Sequence, residues 1–179
     1  NGSSFNHLVG NTSTDNSERG FFTTFSNDNI LTRNTARSNN TVGFVLNHST
    51  DNTLERNKSI DNSLGFNTRF SSGNLLVKNQ AEKNLTRGFL LFNASANTLE
   101  LNRARDNALE GFFVVTESFP GSAGDNIFTR NKSQKNDDLG FRDDSLGTGT
   151  TGTGNIYTNN KCIANSAGGS APDGLCSPQ

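Results

Sequence analysis

Short apolar runs alternate with polar punctuation along the whole chain, and the alternation has a fixed period. A Gly-Phe pair recurs at Gly20-Phe21, Gly43-Phe44, Gly65-Phe66, Gly88-Phe89, Gly111-Phe112 and Gly140-Phe141, at steps of 23, 22, 23, 23 and 29 residues. Asn follows the same period in triplets spaced by five: Asn6/Asn11/Asn16, Asn29/Asn34/Asn39, Asn52/Asn57/Asn62, Asn74/Asn79/Asn84, Asn97/Asn102/Asn107, Asn126/Asn131/Asn136 and Asn155/Asn160/Asn165. Two residues after each first Asn stands Leu8, Leu31, Leu54, Leu76, Leu99, Phe128 or Tyr157. Two after each second Asn stands a small residue: Ser13, Ala36, Ser59, Ala81, Ala104, Ser133 or Cys162. Apolar positions this close together, broken every few residues by Asn or Gly, fit strand–corner–strand and leave no stretch long enough for a helix. Gly and Asn also accept the left-handed backbone that corners require.

A period of 22–23 residues with three short strands predicts one coil of a parallel β-helix, an all-β single-domain solenoid. Stacked coils put equivalent residues about 4.8 Å apart, so about seven coils make a prism roughly 34 Å long. Equivalent Asn side chains then hydrogen-bond up the stack as Asn ladders and satisfy backbone groups at the corners. Three rows fill the interior: the Leu row, the Phe row from Phe21 to Phe141, and Thr23, Leu46, Thr68, Leu91, Val114, Asp143. The leucine-rich repeat, the competing solenoid, needs a denser Leu pattern. The β-helix is expected over residues 1–167 and a capping tail over 168–179.

Composition agrees with a thin, repeated core. Of 179 residues only 30% are hydrophobic, 28 are Asn and 14 are Phe, with no Trp or Met. A formal charge of −1 argues against a nucleic-acid partner. No apolar run approaches the roughly 20 residues of a membrane span. No charged and apolar leader opens the sequence.

The run Asn97-Thr-Leu99…Asn102-Arg-Ala104…Asn107 followed by Gly111-Phe112 resembles the parallel β-helix repeat of the NosD-like, pectin-lyase-like superfamily. The resemblance extends from about Asn6 to Asn165 and implies a right-handed helix. It implies little about activity, because the superfamily holds carbohydrate enzymes, periplasmic accessory proteins and phage tailspikes. Gly154 to Cys176 resembles the ending of secreted bacterial members, so the chain is expected to be the C-terminal part of an extracellular or periplasmic protein.

Several features suggest sites. Cys162 and Cys176 could form a disulfide stapling the tail over the last coil, or Cys162 could be a buried free thiol. Insertions at Phe119–Asp125 and Leu146–Gly154 fall on one corner of consecutive coils, as a recognition wall or as tolerated surface loops. Asp138, Asp143 and Asp144, with Asp137 and Arg142 beside them, form the best acidic cluster, weak candidates for acid–base chemistry or Ca²⁺. No other cofactor and no metal site is read. The motifs of polygalacturonases and pectate lyases are missing. Arg33, Arg56, Lys78, Arg130 and Lys132 make a basic stripe that could engage an anionic polysaccharide, or serve only as a solvated edge. Stacked Lys83, Asp106 and Lys135 are expected to pair across coils. Phe22, Val45, Leu90, Phe92, Phe113 and Val115 should point outward as an apolar assembly patch. The leading expectation is a non-catalytic secreted module that self-associates through coil ends or this face. The alternative is a carbohydrate-binding or polysaccharide-processing protein.

Overall fold

The computed structural model describes residues 2–116 and 123–178. It is a right-handed parallel β-solenoid with three sheets. The first and third sheets hold seven strands each and the second holds eight. One coil shows the plan: Thr53–Glu55 lies in the first sheet, Lys58–Ile60 in the second and Leu64–Arg69 in the third. No helix among the described residues is long and apolar enough to cross a membrane.

Each of the first four coils turns on four residues of positive φ. In the third coil these are Asp51 (55°), Arg56 (52°), Asp61 (55°) and Phe70 (47°). A side chain other than Gly costs about 1–2 kcal/mol in this conformation, so something must hold it there. The residue that follows each corner does so. After the first three it is a ladder Asn, here Asn52, Asn57 and Asn62, and after the fourth it is Ser71.

The Asn ladders bind each coil to both neighbours. Asn57 Nδ2 donates to Asn79 Oδ1 at 3.1 Å in the next coil and to the Leu31 carbonyl at 2.7 Å in the preceding one. The Asn57 backbone N–H donates to the same Asn79 Oδ1 at 2.9 Å. The other two ladders repeat the side-chain link, from Asn6 to Asn155 and from Asn16 to Asn165. A fourth, shorter ladder of Ser escaped the sequence reading: Ser26 N–H donates to Ser49 Oγ, and Ser49 N–H to Ser71 Oγ.

Between the ladders the core is a set of columns. The rings of Phe21, Phe44, Phe66, Phe89, Phe112 and Phe141 stack with centroids 4.5–4.9 Å apart. Leu31, Leu54, Leu76 and Leu99 form the second column, which ends in Phe128 stacked on Tyr157 at 4.6 Å. The glycine before each Phe is there for space. A Cβ on Gly88 would stand 2.6 Å from the Gly111 carbonyl oxygen and 2.8 Å from Ala104 Cβ.

The C-terminal end is closed on all three sheets. Ser170–Ala171 adds a strand beside Phe141–Asp143, and Ser177–Pro178 adds one beside Lys161–Ile163. The insertion at Leu146–Gly154 covers the first sheet: Thr150 N–H donates to the Asn155 carbonyl and Thr150 Oγ1 accepts from Tyr157 N–H. A disulfide between Cys162 and Cys176 fastens the tail over the buried Leu175. Unpaired strand edges invite pairing with other chains, and this cap removes them.

Asn79→Ala deprives four buried polar groups of one partner each (Asn57 N and Nδ2, the Leu54 carbonyl and Asn102 Oδ1). At roughly 1–3 kcal/mol per orphaned buried group, partly shared with remaining partners, urea unfolding should show a loss of about 2–4 kcal/mol. Asn40→Ala, at an exposed Asn outside the ladders, should change stability by less than about 0.5 kcal/mol.

Candidate functional site

The acidic cluster does not assemble into a site. Asp143 is buried, and its carboxylate accepts from Ser145 N–H at 2.9 Å, Ser145 Oγ at 2.6 Å, Asn155 Nδ2 at 2.9 Å and the Tyr157 hydroxyl at 2.9 Å. It therefore terminates an Asn ladder: Asn155 has no further Asn to donate to and uses Asp143 instead. Asp144 is held by Arg142 Nε and Nη2, both at 3.0 Å. Among the described residues no three His, Cys, Asp or Glu side chains gather as a metal site. Asp143 and Asp144 line a pocket of about 250 Å³ with Leu146, Thr151 and Pro172, but the Asp143 carboxylate is already occupied by four donors and that of Asp144 by Arg142.

The two insertions do meet, since Asp125 N–H donates to the Gly154 carbonyl at 2.7 Å. Residues 117–122, and with them most of the expected first loop, lie outside the described residues. The second loop caps the end of the solenoid, and Leu146, Thr151, Gly152 and Thr153 line the same pocket of about 250 Å³ there.

The basic stripe is real over three coils and then stops. Arg33, Arg56 and Lys78 occupy the left-handed corner between the first and second sheets, with φ of 55°, 52° and 55°. With Thr35, Lys58 and Gln80 they line one open groove of about 560 Å³. Leu101 fills the corner in the next coil. Beyond it Arg130 is spent on an ion pair with Glu100, and Lys132 is half-buried. The expected Lys83–Asp106–Lys135 pairing does not form; Asp106 pairs with Arg105 at 3.2 Å.

The apolar patch needs correction. Phe22 is exposed, but Val45 and Phe113 are buried, and Leu90, Phe92 and Val115 are half-buried. Long neighbours cover the outward face. The guanidinium of Arg87 lies 4.6 Å from the Phe113 ring centroid and that of Arg142 lies 5.0 Å from it. Glu110, almost wholly buried, fixes both arginines, with contacts of 2.7 and 3.6 Å. Such cation–π cover is worth about 0.5–2 kcal/mol per contact and removes the surface an assembling partner would need.

The same outer face of the third sheet opens in the first three coils into a groove of about 260 Å³ that sequence reading did not find. Val45 contributes to its lining. Arg19 and Phe22 line it from one coil, Asn47 and His48 from the next, Asn67 and Arg69 from the third. The His48 ring is stacked between Phe25 and Phe70, at 4.9 Å from each. Asn47 Oδ1 and Asn67 Oδ1 meet no donor in the structure. Arg69 makes no ion pair among the described residues and lies over the Phe70 and Phe92 rings. Phe22, Val45 and Asn67 share one repeat position and Asn47 and Arg69 another, but residue type changes along both rows, so the periodicity that gives the fold does not mark them.

Two matches to one family model cover residues 1–80 and 43–171; that family is described as periplasmic copper-binding protein (NosD). No curated protein matches the chain. Among solved structures it is similar to the A-module of the Azotobacter vinelandii mannuronan C-5 epimerase AlgE4, at 19% identity and a TM-score of 0.72 over 90% of this chain and 43% of that one. It is similar also to the periplasmic alginate epimerase AlgG, at 17% identity and a TM-score of 0.71 over 98% of this chain and 49% of that one. At these identities the likeness shows the fold, and the chain spans less than half the length of either protein.

Tyr157 offers a test of the ladder terminus. Burial, then the charge of Asp143 and the hydrogen bond to it, raise the phenol well above its ordinary pKa. A raised folded-state pKa contributes stability that is complete below the unfolded value of about 10 and is lost as pH rises beyond it. Tyr157→Phe should therefore be less stable than wild type at neutral pH, and the gap should narrow in urea titrations above about pH 10.

Proposed function

Since the chain belongs to the NosD family of β-helix proteins, we propose that it is an extracytoplasmic polysaccharide-binding member whose ligand is an acidic sugar polymer lying on the outer face of the third sheet. The lining of the third-sheet groove carries this reading. Two guanidiniums, two carboxamides and an imidazole stand around Val45 and Phe22, whose ring is partly covered by the Arg19 guanidinium at 4.7 Å, itself paired with Glu18. An apolar floor takes the C–H face of a sugar ring, amides take its hydroxyls, and Arg takes a carboxylate in bidentate fashion.

The similar solved structures bear names of polyuronates, mannuronan and alginate, which agrees with a carboxylate-bearing ligand. The disulfide accords with an oxidising compartment outside the cytoplasm. An assembly role draws less support, because Val45 and Phe113 are buried and the C-terminal edges are covered.

The copper-binding description of the family was set against the residues present. Copper favours His, Met and Cys ligands. This chain has no Met, and both Cys are in the disulfide. His7 lies in the first sheet, whereas His48 is stacked at a corner after the third. The described residues do not fit a copper ion, and nothing in the proposed function passes through one.

Asn67→Ala with Arg69→Ala removes one amide and one free guanidinium without touching a ladder. Calorimetric titration with polymannuronate should show affinity reduced about tenfold or more, as two charge-assisted contacts of about 1 kcal/mol each require, with the melting temperature little changed. Unaltered affinity in a folded variant would refute the groove.

A further inference from the structure

We propose that the corner between the first and second sheets is a second binding site, for a linear polycarboxylate strand lying along the solenoid axis over Arg33, Arg56 and Lys78. The proposal rests on the reading of the protein as a binder of acidic polysaccharide, but it concerns a different face.

The groove there is the larger of the two open grooves described above, about 560 Å³, and all six of its lining residues are cationic or hydrogen-bonding: Arg33, Thr35, Arg56, Lys58, Lys78 and Gln80. Arg33, Lys58 and Lys78 form no ion pair among the described residues, and only Arg56 is engaged, by Glu55 at 2.7 Å. Four cations therefore face one acid, on a protein whose net charge is −1. Successive corner cations repeat once per coil, about 4.8 Å. That advance is comparable to the length of one pyranose unit, so a strand parallel to the axis keeps step with the coils; in a β-1,4-linked polyuronate, whose successive units face opposite ways, the carboxylates on one side meet alternate cations. Thr35 and Gln80, on the same outward column as Lys58, supply groups for hydroxyls.

The corner position is left-handed in every coil described and holds Gly10, Arg33, Arg56, Lys78, Leu101, Arg130 and Asn159 in turn. The unbroken run of cations is therefore bounded, by Gly10 before it and Leu101 after it.

The test compares three proteins, each titrated calorimetrically with polymannuronate, neutral dextran and inorganic polyphosphate. They are wild type, the triple variant Arg33→Asn/Arg56→Asn/Lys78→Asn, and the third-sheet variant Asn67→Ala/Arg69→Ala. Asn suits the left-handed corner, so the triple variant should melt at or above the wild-type temperature. Three exposed charge contacts of about 0.5 kcal/mol each make its affinity for polymannuronate about tenfold lower, and the loss should shrink as salt is raised. Dextran binding should be the same in wild type and the triple variant. Wild-type affinity for polymannuronate in the triple variant would overturn the corner site, as would an equal loss for dextran or a clear preference for polyphosphate. If only the third-sheet variant is impaired, the corner fails and the groove stands. If only the triple variant is impaired, the groove fails and the corner stands.

Discussion

A carboxamide both donates and accepts, so identical copies can link in line, and the solenoid depends on that property. Each interior ladder Asn gives its two N–H bonds in opposite directions, one up the stack to the next amide and one back to a carbonyl of the preceding coil. Its oxygen receives the amide and the backbone N–H of the coil before. Asp in its place would stack like charges in a dry interior, and Ser reaches only its own turn and one neighbouring N–H. The Ser ladder shows that limit: Ser49 Oγ accepts from Ser26 N–H and donates two residues back to the Asn47 carbonyl, with no side-chain link onward.

The thin core follows from this constraint. Where the ladders fix corner geometry and coil spacing, the interior needs only columns of like residues at the same spacing. Phe stacks ring on ring because the coils hold the planes parallel, within 5–8°. The ladder must also end somewhere. Asn155 donates to Asp143, which occupies an inner row otherwise filled by Thr, Leu and Val. The single buried acid of that row is therefore the consequence of stopping the amide chain. This also explains why the most conspicuous carboxylate in the sequence is unsuited to chemistry.

The inward half of the structure was legible in the sequence because it is periodic. Phe21 to Phe141, the three Asn ladders and the small residues ending in Cys162 occupy the rows their spacing implied, and Cys162 bonds to Cys176. The outward half was legible only in part, for a physical reason. Alternation says that Phe113 leaves the core, but its burial is decided by Arg87 and Arg142, which reach across from neighbouring coils, and by Glu110, which anchors them. Strand period carries no information about such reach. The groove around Asn47, His48, Asn67 and Arg69 was missed because its rows change residue type from coil to coil: Phe22 and Val45 give way to Asn67, and Asn47 to Arg69. The basic corner was visible because it does repeat, but its interruption at Leu101 and the pairing of Arg130 with Glu100 were not anticipated.

Separating inward from outward positions also governs where a function can reside. An inward residue is constrained by the coils on either side, so a change there is felt through a ladder or a stacked column. An outward residue on a strand touches only neighbours on its own face, and Asn67 and Arg69 can be exchanged without disturbing an amide link. The corner is intermediate. Its side chain is outward, but its backbone is left-handed and resists long side chains. The ladder residue that follows holds that backbone whatever side chain the corner carries, Leu101 and Arg130 as well as Arg33, so the corner is free to carry charge. Three unbroken cations there and the mixed lining of the third-sheet groove are both places where the fold leaves the side chain to function.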